Sequence, residues 1–212
     1  MLRRSPADRR FYVFAWLIIS PTFRLLFRMR VVGREHMPVD GAVVLASNHV
    51  SNIDPVFLGV AAPRQVRFMA KSELWSFGPL RRLVEGLGAF PVRRGQADRD
   101  AIRSAVSYLD QRAVVGIFPE GRRQKSGTLG TPQPGFAMLA LRDGVKTIPV
   151  AISGTDRILR GGIPRLPRVT VAFGPPLDVS VGELPRGERH AEIGRRLMAA
   201  LGHMLGHDSD NG

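Results

Sequence analysis

The stretch Ala42-Val43-Val44-Leu45-Ala46-Ser47-Asn48-His49-Val50-Ser51-Asn52-Ile53-Asp54-Pro55 holds the key to the fold. Its first five residues form a short unbroken apolar run, the pattern of a strand covered on both faces. Asp54-Pro55 then reads as a helix start, with an acidic N-cap and proline at the first helical position, so Pro55 to Ala62 is expected to be a short helix. Strand, turn and helix in that order are the unit of an α/β domain. The alternation continues outward from there. Val66 to Ala70, Gly88 to Val92, Ala113 to Phe118, Thr147 to Ile152 and Val169 to Phe173 read as strands, and Asp98 to Leu109, Gly135 to Leu141 and Glu188 to Leu205 as helices. In Asp98 to Leu109 the residues Ala101, Ile102, Ala105, Val106 and Leu109 fall on one side, as an amphipathic helix on a sheet requires. With no internal repeat or low-complexity block, the expected organisation is an N-terminal segment (1–30), one domain (31–207) and a polar tail (208–212).

Composition agrees with a globular α/β chain. The 212 residues are 44% hydrophobic and 23% charged, which excludes wholesale disorder. Zero cysteines exclude a disulfide framework, a thiolate zinc site and a cysteine nucleophile. Lys and Arg number 31 against 18 Asp and Glu, a net charge of +13 that points to polyanionic partners: nucleic acid, an anionic membrane surface or phosphorylated small molecules.

At the N-terminus Arg3, Arg4, Arg9 and Arg10 precede the apolar run Phe11 to Ile19, and Ser20-Pro21 separates it from Thr22 to Met29. One straight helix from Phe11 to Phe27 would be about 25 Å long, short of the roughly 30 Å hydrocarbon core, and it would contain a proline and an arginine. A spanning helix is therefore not expected. Arg9-Arg10-Phe11 resembles a twin-arginine signal, but no small-x-small cleavage site follows. The expected arrangement is two short helices broken near Pro21. Phe11, Phe14, Trp16, Leu17, Ile18, Phe23, Leu26 and Phe27 would dip into one leaflet and the arginines would stay among phosphates. A plain helix packed on the domain is the alternative.

His49 and Asp54 are the first candidates for chemistry. On one continuous helix, residues five apart point in different directions, but a turn between them allows the two side chains to meet. An Asp on one imidazole nitrogen would fix the tautomer and make the other nitrogen a general base. On spacing alone the plainer reading has the advantage: Asp54 caps the helix and His49 fills a loop. A second stretch, Phe118-Pro119-Glu120-Gly121-Arg122-Arg123, ends a strand in two guanidinium groups, where an anionic ligand commonly sits in α/β sheets. A solvated basic turn would read the same way. Gly88-Ala89-Phe90-Pro91-Val92-Arg93-Arg94-Gly95 repeats the strand-then-arginines pattern, and Thr147 to Ile152 is an apolar strand with a proline and no reactive group.

In this order the four stretches resemble the glycerolipid acyltransferase family, specifically the bacterial 1-acyl-glycerol-3-phosphate acyltransferases. The resembling blocks are Asn48, His49 and Asp54; Gly88 through Arg94; Phe118 through Arg123; and Ile148 through Ala151, with Ala70-Lys71-Ser72-Glu73-Leu74 as a further match. They span roughly residues 31 to 175, and the combination is far more specific than any one block. One departure stands out: Arg122 occupies the place where the family usually has Thr. The resemblance implies a mixed β-sheet flanked by helices, as in glycerol-3-phosphate acyltransferases, with an N-terminal membrane-associated helical segment. It implies His49 as the base for the acceptor hydroxyl, oriented by Asp54, with direct attack on an acyl thioester. Lys71, Arg94 and Arg123 would hold the acceptor phosphate, and Glu120 and Gly121 would shape that phosphate-binding pocket. No metal or organic cofactor is expected. The partners would be acyl-CoA or acyl carrier protein, a phosphorylated lysolipid and an anionic membrane surface, at the cytoplasmic face of the cell membrane.

Two readings of other classes compete. A nucleic-acid-binding protein would interleave aromatics with basic residues or carry a groove-binding motif, and neither is present, so no nucleic acid partner is expected. A catalytically silent lipid-binding protein of the same fold would have no need for both His49 and Asp54.

Overall fold

Val43, Val44, Leu45 and Ala46 are all fully buried, and their side chains alternate between two separate apolar clusters, as successive residues of a strand must. Val43 and Leu45 join Phe57, Leu58, Val66, Ile148, Val150 and Phe173 on one face. Val44 and Ala46 join Leu109, Val115, Phe136, Leu139, Ile193 and Leu197 on the other. A sheet thus runs through the middle of the domain with helices on both sides. The computed structural model describes residues 6–71, 76, 78, 81, 88–92, 99–124, 128–160 and 162–206.

The elements, in chain order, are α1 (Pro6–Leu26), β1 (Arg30–Val32), β2 (Ala42–Ser47), α2 (Asp54–Ala61), β3 (Val66–Lys71), β4 (Phe90–Val92), α3 (Arg99–Asp110), β5 (Val114–Ile117), α4 (Pro134–Ala140), β6 (Val145–Ser153), β7 (Leu159–Arg160), β8 (Ile163–Pro164), β9 (Thr170–Phe173) and α5 (Arg186–Leu205). Seven strands form one sheet in the order β1-β9-β6-β2-β5-β3-β4, and β7 and β8 pair as a small hairpin. All neighbours in the large sheet are parallel except β6 and β9, which run antiparallel with Val150 opposite Phe173. The sheet is therefore mixed and flanked by helices, as the resemblance implied. Each strand and helix expected from the sequence in the described residues is present, with ends shifted by one or two residues. The hairpin, β1 and the 3-10 turn at Arg34–His36 carry too few residues for periodicity to reveal them.

The N-terminal segment departs from expectation in two respects. It is one helix, α1, with Pro21 inside it, not two helices broken at Pro21. Proline removes the one backbone donor that would meet the Leu17 carbonyl, and beside it the Thr22 hydroxyl donates to the Ile18 carbonyl at 2.8 Å. Phe27 was expected in the leaflet, but only 7% of it is exposed. Its ring lies 5.1 Å from that of Phe57 on α2, and the half-buried Phe23 lies 5.2 Å from the same ring. The reason is helical phase. Trp16, Ser20, Phe23 and Phe27 recur at steps of three and four and turn toward the domain, while Phe14, Leu17, Ile18 and Leu25 recur on the opposite, exposed side. Leu26 is also exposed, and the Phe11 side chain lies outside the described residues.

Candidate active site

β2 and β6 run parallel up to Ser47 opposite Val150, and one side chain extends the pairing past the end of β2. The Asn48 amide donates to the Ile152 carbonyl at 2.9 Å, and its oxygen accepts from the Ile152 N–H at 2.7 Å. Asn48 thereby imitates one more rung of the ladder and fixes where the chain leaves the sheet. His49 follows directly and is buried, stacked on the Phe118 ring with centroids 4.2 Å apart.

The turn between His49 and Asp54 brings them together. Oδ2 of Asp54 meets His49 Nδ1 at 2.8 Å and also accepts from the backbone N–H groups of Val50 at 2.8 Å and Ser51 at 2.7 Å. Oδ1 accepts from the Thr155 hydroxyl at 2.5 Å. Asp54 is fully buried. It sits within the first turn of α2 and makes no side-chain cap bond at that helix, where Ile53 takes the N-cap place. The carboxylate thus folds the loop back onto itself and meets the imidazole in place of capping the helix. An ionised Asp54 carboxylate requires a donor at Nδ1, and a neutral ring in that tautomer has its lone pair on Nε2.

Thr155 was not singled out in the sequence. It lies 101 residues from Asp54, and only the sheet, by placing the end of β6 beside β2, brings them together. Its hydroxyl fixes the plane of the carboxylate and so acts on His49 through Asp54. We expect Thr155→Val to lower kcat about tenfold with KM little changed, since a hydrogen bond to a charged acceptor contributes about 1.5–3 kcal/mol. Thr155→Ser, which keeps the hydroxyl, should restore most of the rate. Equal kinetics for the Val and wild-type proteins would remove Thr155 from the site.

Glu120 ties the two loops together. It is buried, and its carboxylate accepts from the His49 N–H at 3.3 Å and the Gly130 N–H at 3.0 Å. The Gln124 N–H in turn donates to the His49 carbonyl at 2.8 Å. Glu120 therefore shapes the site as a backbone tie. Burial raises its pKa above the ordinary carboxylate value, partly offset by hydrogen bonds from Gly130, His49 and Gln124. In the window between the unfolded and the raised folded pKa, the native state holds more protons than the unfolded state, so this group's contribution to stability falls as pH rises. Glu120→Gln should abolish that component. The stability difference between wild type and variant, from urea titrations, is expected to decline from about pH 4.5 upward and then level off. A difference independent of pH would contradict the assignment.

Gly121 follows with φ of +68°, a backbone shape that favours glycine, and turns the chain so that Arg122 and Arg123 are exposed next to Gln124 and so beside the His49 loop. The structure thus brings His49, Asp54, Glu120, Gly121 and Arg123 to one region at the ends of β2, β5 and β6. The Lys71 side chain and Arg94 lie outside the described residues.

A family model described as Acyltransferase matches residues 28–153, more than half the chain and the whole of the region from β1 to the end of β6. The chain belongs to the acyltransferase family. Among relatives of this acyltransferase, the 1-acyl-sn-glycerol-3-phosphate acyltransferase of Bacillus subtilis is 28% identical over 176 residues, covering 78% of this chain and 82% of that protein. A chloroplastic 1-acyl-sn-glycerol-3-phosphate acyltransferase, LPAT1 of Arabidopsis thaliana, is 27% identical over 162 residues, 74% of this chain, which spans 45% of that longer protein. The crystal structure of the 1-acyl-sn-glycerophosphate (LPA) acyltransferase PlsC from Thermotoga maritima superposes with a TM-score of 0.74, covers 100% of this chain and 85% of its own, and shares 23% identity. The acyltransferase fold is common to both.

Proposed function

We propose that this acyltransferase moves a fatty acyl group from a thioester, on coenzyme A or acyl carrier protein, to the free hydroxyl of 1-acyl-glycerol 3-phosphate, forming phosphatidic acid. The observation that carries the reading is the Asp54–His49 pair, 2.8 Å apart, in a loop that the Gln124 N–H ties to the turn bearing two exposed arginines. The names of the relatives supply the acceptor. Nε2 takes the hydroxyl proton as the oxygen attacks the thioester carbonyl. The tetrahedral oxyanion collapses, the C–S bond breaks, and the thiolate leaves with the proton returned from the imidazolium. Arg123, with Lys71 and Arg94, would grip the acceptor phosphate and hold its hydroxyl near Nε2, a gain of proximity that contributes several kcal/mol. The exposed stripe Phe14, Leu17, Ile18 and Leu25 rests on the cytoplasmic face of the membrane, from which both amphiphilic substrates arrive laterally. Among the described residues no helix is long and apolar enough to cross a membrane.

The test is thiol release from palmitoyl-CoA by the purified protein, with and without 1-acyl-glycerol 3-phosphate, and with the lipid product identified by mass. Release that depends on the acceptor and yields phosphatidic acid is expected. Release with glycerol 3-phosphate or another lysolipid alone would reassign the acceptor. No release across all acceptors, whether from palmitoyl-CoA or from a palmitoylated acyl carrier protein, would favour a lipid-binding protein without turnover.

A further inference from the structure

The hairpin β7–β8 leaves the domain after the buried Ile158 and re-enters at the buried Val169, and it presents large apolar side chains to the outside. Leu159 is 68% exposed, Ile163 60% and Leu166 51%. Arg157, Arg165 and Arg168 are exposed among them, with Asp156 the one acidic residue between Thr155 and Val169. A soluble domain rarely gathers three such side chains within eight residues unless something covers them. Two observations indicate what does.

The hairpin is bonded to the end of α1 that carries the exposed Leu25 and Leu26. The Val169 N–H donates to the Phe27 carbonyl at 3.1 Å, and the Arg28 guanidinium donates to the Leu166 carbonyl at 3.0 Å. The hairpin and the C-terminal end of α1 therefore adjoin in space although far apart in sequence. The root of the hairpin is also part of the site. Thr155, which holds Asp54, lies three residues before Ile158, and at Gly154, with φ of +91°, a Cβ would come within 2.2 Å of the Arg168 carbonyl, so the two legs close backbone to backbone.

We infer that the β7–β8 hairpin is a second membrane-docking element, seated at the surface of an anionic bilayer, with Leu159, Ile163 and Leu166 among the upper acyl chains and Arg157, Arg165 and Arg168 on lipid phosphates. The charge pattern favours this occupant: arginines around an apolar tip complement a negatively charged interface. Its strands pair through only two residues each, Leu159 with Pro164 and Arg160 with Ile163, which limits the hairpin to shallow insertion because deeper backbone would lose its hydrogen-bonding partners. The docking places the Thr155–Asp54–His49 chain at the point where a lysolipid leaves the membrane, and it rests on the lipid-acylating function proposed above.

The absence of cysteine makes the test direct, since one introduced thiol is the only one to label. Ile163→Cys, Phe14→Cys and Asp143→Cys are each labelled with an environment-sensitive fluorophore and mixed with vesicles of phosphatidylcholine, with or without phosphatidylglycerol. Asp143 is exposed in the loop before β6, at the opposite end of that strand from the hairpin, and serves as the control. With phosphatidylglycerol vesicles the probe at 163 should shift to the blue and be quenched by acyl-brominated lipid, while the probe at 143 stays unchanged. Leu159→Ser combined with Ile163→Ser and Leu166→Ser should weaken vesicle partitioning at least tenfold. A probe at 14 that inserts while the probe at 163 remains in water would overturn the proposal, as would a chain that turns over vesicle-borne acceptor with no change at 163. Insertion at 163 without turnover would support the docking and count against the catalytic reading alone.

Discussion

His49→Ala will leave a folded chain with acyl transfer reduced by roughly a thousandfold, the usual contribution of a positioned general base. That loss corresponds to about 4 kcal/mol of transition-state stabilisation. The fold should survive. The imidazole is at the rim of the core, stacked on Phe118, and without it Asp54 still accepts from the Val50 and Ser51 amides and from Thr155. The measurement is kcat/KM for acceptor-dependent thiol release, beside circular dichroism and a melting curve. A variant that is well folded and near wild type in rate would remove His49 from the chemistry.

Asp54→Ala is expected to damage both stability and activity. The carboxylate is fully buried and meets four donors, so alanine strands the Val50 and Ser51 N–H groups and the Thr155 hydroxyl without acceptors. With the Thr155 hydroxyl buried and the Val50 and Ser51 N–H groups half-buried, the loss costs about 2–3 kcal/mol in total. Because the alanine chain could unfold outright, Asp54→Asn is the informative companion. It keeps size and one acceptor oxygen, but it no longer selects the Nδ1–H tautomer, and the rate should fall by about a thousandfold or more in a chain that still folds. Urea midpoints separate the stability effect from the kinetic one. An Asn variant with wild-type turnover would mean that Asp54 organises the loop without orienting the base.

The main elements of the fold were legible in the residues because burial on both faces writes itself as an unbroken run, as in Val43 to Ala46, and amphipathic helices write themselves as a stripe, as in Ala101, Ala105 and Leu109. The small pieces were not. A two-residue strand such as Ile163–Pro164 has no period, and the hairpin that it forms is visible only in space. Pro21 misled for a related reason. A proline reads as a helix break, but the packing of Phe23 and Phe27 on Phe57 favours a continuous helix more than one lost backbone bond disfavours it.

By itself the sequence determined the α/β alternation and the apolar, arginine-flanked run near the N-terminus, and its resemblance to the acyltransferase blocks marked His49, Asp54, Glu120 and Arg123. Local chemistry sufficed for these, since each depends on residues near one another in the chain. Only the tertiary structure decided that Asp54 serves the loop and the imidazole and makes no cap bond at its own helix, that Glu120 is tied to backbone amides of two loops, and that Thr155 completes the carboxylate's partners. The physical reason is the order of the sheet. Pairing β2 with both β5 and β6 gathers three strand ends separated by some 70 to 100 residues, and hydrogen bonds between those ends have no trace in local pattern.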